Sequence, residues 1–395
     1  MKLKPFIFGL CIIIMLLAGC STQSSQESSI ATLENFEHVD NISNKFDFSV
    51  IDINFIDKET ECLFGFVSPS GILAYDISQD IFKLIDLKTG IKETILKLSE
   101  GQRAVNFKYD NHSIVWVEDG ETETNNIIGK NWGIYEYNML TKEITIIEKE
   151  SEETTPSDRA YCATPNEFSF KDGYIAYVAN QDYNNGFYSL LKLHSLKTKE
   201  TLIIDSIQLS LEEINAIWFS VPSVNSKYVA YSISHADLDT VKEFGKLYLY
   251  DIQKKEKSLL KIDSNVLKPV LNQNRIACRM KPDGENENSE IYIYDIDKNE
   301  WTAKITNSNS LYKGYIAKPF ELIGLESDGN YLVWYESHHN ALGLFDFNTL
   351  EVKPIVTRDM NKEVTKTMFN SKMLLWEEHD FITREYKGFK AIILE

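Results

Sequence analysis

The chain has 395 residues, 43% of them apolar and 12% aromatic, which allows one large all-β domain or two or three ordinary ones and excludes a disordered protein. Its formal charge is −18, and −20 without a leader whose only charges are Lys2 and Lys4. Such a field repels nucleic acid and anionic lipid surfaces, so nucleic acid is not an expected partner.

The first element reads as an address. Lys2 and Lys4 precede an apolar run from Pro5 to Ala18, shorter than the roughly 20 residues that span a bilayer. The run ends in Leu17-Ala18-Gly19-Cys20, which resembles the lipobox of bacterial lipoproteins. The resemblance implies cleavage before Cys20 and a diacylglyceryl group on its sulfur, and two acyl chains suffice for stable anchoring. The alternative is an ordinary secretory signal with an incidental cysteine. Residues 1–19 are therefore expected to be a leader and 20–44 a tether opening with the serine-rich STQSSQESS. The mature chain also holds Cys62, Cys162 and Cys278, with no Cys-x-x-Cys spacing, so neither a disulfide framework nor a zinc knuckle is indicated.

Next comes a strand-like segment, KFDFSVIDINFI (45–56), and then a pattern that returns through the chain. GILAYDI, SIVWVED, GYIAYVA, KYVAYSI, the degenerate RIACRM, YLVWYES and KMLLWEE place Tyr75, Trp116, Tyr177, Tyr231, Cys278, Trp334 and Trp376 at one shared position. Recurrence at a period of this size signals stacked modules. Residues suited to tight turns precede each copy, including Asp172-Gly173, Asn225-Ser226 and Asp328-Gly329. A variable loop and a hairpin follow, such as GIYEYNMLTKEITII at Gly133 or EIYIYDIDKNEWTAKI at Glu290. Leading segments such as AVNFKYD (Ala104) and NAIWFSV (Asn215) complete four strands per unit. Helical periodicity is confined to LSLEEINAI near Leu209.

Four-stranded antiparallel units repeated radially are the blades of a β-propeller. The expected fold is thus all-β, a seven-bladed propeller over residues 45–395, with six or eight blades as the alternatives. The last unit stops at its third strand, GFKAIILE, so residues 45–56 are expected to supply its fourth and close the ring. The turns Ser68-Pro69-Ser70-Gly71, Lys171-Asp172-Gly173 and Ser327-Asp328-Gly329, each ahead of an aliphatic-aromatic strand, resemble the TolB-like propellers, a group that includes the propellers of prolyl oligopeptidase and dipeptidyl peptidase relatives. The resemblance implies a fold and, in general terms, an interaction platform.

No Gly-x-Ser-x-Gly, His-Glu-x-x-His or phosphate-binding loop is present, and no cofactor is expected. Asp295, Asp297 and Asn299 are spaced like the start of a calcium loop but lack its glycine and distal glutamate, and read as a hairpin turn; the acidic segment 281–290 reads likewise as a solvated turn. In a propeller, the loops joining second to third strands share a face. Here they carry 19 Asp or Glu against 6 Lys or Arg, whereas lysines nearly balance acids in the opposite turns. This face is expected to bind a protein, peptide or cell-envelope ligand through Glu118, Asp119, Glu121 and Glu123, with Trp132 as a surface contact. Glu336, His338, His339, Glu378, His379 and Asp380 are further candidate binding residues of this face; the competing expectation is a hydrolase or lyase with a metal or carboxylate site at the central mouth, for which Glu336, His338, His379 and Asp380 would have to converge. Taken together, the sequence is that of a lipid-anchored binding protein facing outside the cytoplasm, more a noncatalytic protein than an enzyme, with the Lys, Asn and Ile richness of a low-GC Gram-positive source.

Overall fold

The computed structural model describes residues 50–53, 56, 61–68, 71–110, 112–118, 132–149, 167–183, 186–210, 217–237, 242–260, 265–281, 290–305, 322–336, 341–356, 362–370, 372–380, 382–383 and 385–394. The leader, Cys20 and the tether lie outside them. Among the described residues the fold is all-β, and no helix is long and apolar enough to cross a membrane.

The seven sheets are antiparallel and follow chain order. Blade 1 comprises Glu61–Ser68, Gly71–Asp76, Ile81–Asp86 and Lys92–Lys97. Blade 2 comprises Ala104–Asp110, Ser113–Glu118, Gly133–Asn138 and Ile144–Lys149, and blade 3 Phe168–Lys171, Tyr174–Tyr183, Gly186–Ser195 and Glu200–Ser210. In blade 4 the innermost strand is broken into Ile217–Phe219 and Ser223–Val224, both pairing Tyr228–Asp237, followed by Lys242–Asp251 and Glu256–Leu260. The expected leading segment 215–221 is strand at Ile217–Phe219, and Pro222, which has no amide to give the ladder, stands just ahead of the second piece. Blade 5 is Asn265–Asn272, Arg275–Lys281, Glu290–Asp295 and Glu300–Ile305, and blade 6 Leu322–Asp328, Tyr331–Glu336, Ala341–Asp346 and Glu351–Val356. Blade 7 has Lys362–Asn370, Met373–Asp380 and Tyr386–Ile393 from the end of the chain and Val50–Ile53 from its beginning. Val50 pairs with Ile392 and Ile53 with Phe389, so the ring closes as the sequence leads one to expect. The segment expected to be helical begins as strand up to Ser210, and 211–216 lie outside the described residues.

The shared position explains why the blades stack. Tyr75, Trp116, Tyr177, Tyr231, Cys278, Trp334 and Trp376 are all at most 2% exposed. Each sits on the second strand of its blade, where both sheet faces are covered by neighbouring blades, and the large ring fills the wedge between sheets. Seven apolar clusters result, one at each interface between adjacent blades, including a cluster that joins Ile53, Met373 and Phe389 of blade 7 to Ile72 and Ile85 of blade 1. Where the slot holds Cys278, the rings of Tyr292 and Trp301, 5.9 Å apart, occupy the interface instead. Burial in that setting pushes the Cys278 thiol well up, leaving it a small apolar side chain.

The third-to-fourth-strand turns are one device used six times. The first turn residue is Asp86, Asn138, Ser195, Asp251, Asp295 or Asp346, and except for Ser195 its side-chain oxygen accepts backbone amides two or three residues on at about the usual hydrogen-bond length; at Ser195 the Thr198 amide reaches the hydroxyl at 3.3 Å. The fifth residue, Gly90, Lys142, Lys199, Lys255, Asn299 or Leu350, has φ between 55° and 72°. Asp295–Asn299 is therefore a hairpin turn. Backbone bonds such as Met139 N–H to His112 O (2.8 Å) and Leu196 N–H to Gly173 O (2.9 Å) tie these turns to the first-to-second-strand turns, fixing both on one face. That face is here called the turn face, and the opposite one the acidic face.

Candidate functional site

At the acidic face the strand ends bring carboxylates out of water rather than into it. Glu118 is only 6% exposed; its Oε1 accepts the Trp116 indole N–H and its Oε2 the Gln102 amide, both at 2.9 Å. Burial pushes its carboxyl up in spite of these donors. Asp76, 2% exposed, accepts the Lys83 ammonium at 2.6 Å, and although burial opposes it, the Lys83 and Ser78 donors hold its carboxyl below the usual range. Glu61 is clamped by Lys92 at 2.7 Å. These acids brace blade ends, so Glu118 is an internal partner of the aromatic position rather than a contact residue. Asp119, Glu121 and Glu123 lie outside the described residues.

Trp132 is a correction to the sequence reading. It is 5% exposed and packs with Val115, Val117 and Ile134 against Phe168 and Tyr177 of blade 3. Its position at the end of the longest loop suggests surface contact; the interface between blades 2 and 3 takes it instead, because an indole there buries more area than one in water.

In blade 7, His379 is taken up by a partner on its own strand. His379 Nε2 is 2.6 Å from Glu377 Oε1, and the ring lies edge-on to Tyr386. Glu378 is 7% exposed, and Asp380 Oδ1 accepts the amides of Ile382 and Thr383, closing the local turn. The pair that forms is Glu377 with His379, a partnership the sequence reading missed although i, i+2 spacing on a strand signals it. His338 and His339 lie outside the described residues, as does the side chain of Glu336, and among the described residues no cluster of three metal-binding side chains forms.

The central mouth is where the competing hydrolase or lyase reading puts its site. At the turn face the channel is bridged: Lys171 Nζ of blade 3 reaches Asp328 Oδ1 of blade 6 at 2.9 Å, and these blades stand on opposite sides of the ring. Neighbouring blades are laced there by Asp110 accepting the Gly173 amide, Asp172 accepting the Ser226 amide, Asn225 donating to Gln273 O, and Asn272 donating to Ser327 Oγ and Gly329 O. On the same innermost strand as Asp328, Glu326 has its carboxyl pushed up to about 7 by burial, against the Lys108 charge from blade 2 and an amide bond from Phe369.

No family model matches the chain, and no curated protein does. Solved structures do. An oligogalacturonate lyase in complex with manganese superposes with a TM-score of 0.57 at 12% identity, covering 88% of this chain and 96% of that one. The β-propeller domain of the Trilobed protease from Pyrococcus furiosus, described as having an open velcro topology, gives 0.55 at 11% identity over 84% and 95%. An oligogalacturonate lyase from Vibrio parahaemolyticus gives 0.54 at 9% identity over 88% and 98%. At these identities the likeness is one of fold, and the chain is a seven-bladed β-propeller of that architecture.

Proposed function

We propose that the protein is a noncatalytic binding module, held outside the cytoplasmic membrane by a lipid on Cys20, that engages a basic protein, peptide or envelope component through its acidic face. The observation that carries this reading is the one-sided charge: 19 acidic against 6 basic residues in connections that share a face of the ring, an excess that persists when the buried Asp76 and Glu118 are set aside. A potential of one sign over a mouth gathers partners of the other sign and speeds their encounter. The lipid rests on Leu17-Ala18-Gly19-Cys20 and the serine-rich stretch behind it.

Glu118 is unsuited to a test because it braces Trp116. The triple change Asp119→Lys, Glu121→Lys, Glu123→Lys should weaken capture of a partner from an envelope extract, and raising salt should weaken capture by the unchanged protein. Equal capture by both forms would remove the acidic face from the proposal. Cys20→Ala should move the protein from the membrane to the soluble fraction. Metal bound by the purified protein and lost on changing His338, His339 and His379 would favour the hydrolase or lyase reading instead.

A further inference from the structure

The register of the closing strand fixes where the chain joins the ring. Tyr386–Ile393 runs from the acidic face toward the turn face, since Leu394 N–H bonds Lys372 O in the blade's first turn. Val50 pairs with Ile392, so Val50 lies at the turn-face end, and the chain enters the closing strand from that side. The tether read from the sequence, residues 20–44, would average somewhat under 30 Å end to end if it is a flexible chain, by about 5–6 Å times the square root of its length. Most blade strands have six to eleven residues, so a blade is of similar height. Attachment alone therefore favours the turn face as the side nearer the lipid.

The same side carries an apolar arc. Val50 (53% exposed) and Ile393 (50%) stand at the turn-face end of blade 7, Ile91 (67%) at the tip of the blade 1 turn, and Leu140 (71%) and Ile144 (52%) at and just beyond the blade 2 turn. These are consecutive blades around the ring closure. Lys88, Lys142 and Lys372 are exposed among them beside Glu93 and Glu143, and Asp86 is bound into its own turn by Thr89, so charges on this side nearly balance where the opposite face is acidic. Apolar tips beside lysines, whose stems can lie along apolar surface while the ammonium stays in water, suit a surface that rests in a headgroup layer. The molecule's overall charge repels a membrane, so approach is least costly through this arc, with the acidic face turned away.

We propose that the apolar arc of blades 7, 1 and 2 seats the ring on the phospholipid surface, turn face down. The proposal rests on the anchoring reading above, and it makes the lipid an orienting device as well as an address: the acidic face points away from the bilayer toward incoming partners.

The test separates orientation from natural lipidation by replacing the anchor. Residues 21–395 with an N-terminal histidine tag are held on vesicles of phosphatidylcholine, phosphatidylglycerol and a nickel-chelating lipid, with a quencher on some headgroups. With Cys62 and Cys162 changed to Ser and Cys278 buried, a dye is placed on Leu140→Cys or on Ile382→Cys, a 76%-exposed position on the acidic face. The dye at 140 should lose emission severalfold and the dye at 382 little. Equal loss at both, or greater loss at 382, overturns the proposal. Adding Ile91→Glu and Ile144→Glu should restore most of the emission at 140; undiminished quenching would assign orientation to the tether and overturn seating by the arc. Failure of Cys20 to carry lipid in cells, read from its peptide mass, would strike the anchoring reading without altering either vesicle result.

Discussion

Two kinds of residue carry strain or unusual protonation that a measurement can reach. Glu326 has a folded-state pKa of about 7, above the ordinary glutamate value, so the unfolded chain ionises first as pH rises. Its contribution is complete in acid and is lost as pH climbs from about 4.5 toward 7. Glu326→Gln should therefore raise the melting temperature at pH 8 relative to the parent, by up to about 3 kcal/mol of stability, and leave it nearly unchanged at pH 4; equal effects at both pH values would refute the assignment. His194 pulls the other way. It is 4% exposed, its Nε2 has no partner, and burial with Lys199 nearby lowers its pKa, so stability drops as pH falls below about 6.5. Leu350, with φ 55°, occupies the left-handed position that Gly90 fills in blade 1. Leu350→Gly should stabilise by about 0.5–1 kcal/mol in denaturant titration, because the exposed side chain there gains little and the backbone is relieved.

Among the elements, the blades approach most closely where a side chain is missing. A Cβ on Gly245, in the third strand of blade 4, would stand 2.1 Å from the Val266 carbonyl oxygen in the innermost strand of blade 5. Since the obstacle is backbone, Gly245→Ala should cost about 1–3 kcal/mol, read as a lower denaturation midpoint. Gly343 is similar: its Cβ would stand 2.3 Å from the Trp334 ring, so the glycine is what lets the tryptophan lie flat across its neighbouring strand. The sequence showed the second strands clearly because the aromatic slot is filled by one kind of side chain for one reason. It showed the turns less well: Asp-x-x-x-Gly is visible in blade 1, but Lys142, Lys199, Lys255 and Leu350 conceal the same conformation in residues that seldom adopt it. The candidate site was legible only as charge. Which acids are spent on blade ends, as Glu118, Asp76 and Glu61 are, depends on partners distant in sequence such as Gln102 and Lys92. Trp132 misled because a loop-end position says nothing about which neighbour will cover it.

For the whole molecule, the ring is held by one noncovalent clasp. Four residues, Val50–Ile53, pair with Tyr386–Ile393, aided by the Lys390–Asp52 ion pair and by Ile53 in the cluster between blades 7 and 1. A chain beginning after Ile53 leaves Tyr386–Ile393 as an open edge. It should melt at lower temperature and form dimers or larger species by light scattering, since an unpaired edge recruits another strand. A chain that stays monomeric and equally stable would show the clasp to be dispensable. The clasp also imposes a schedule. Synthesis delivers residues 50–53 early, yet their hydrogen-bonding partner follows more than three hundred residues later. The first blades synthesised can therefore be locked into a ring only after the last one has emerged.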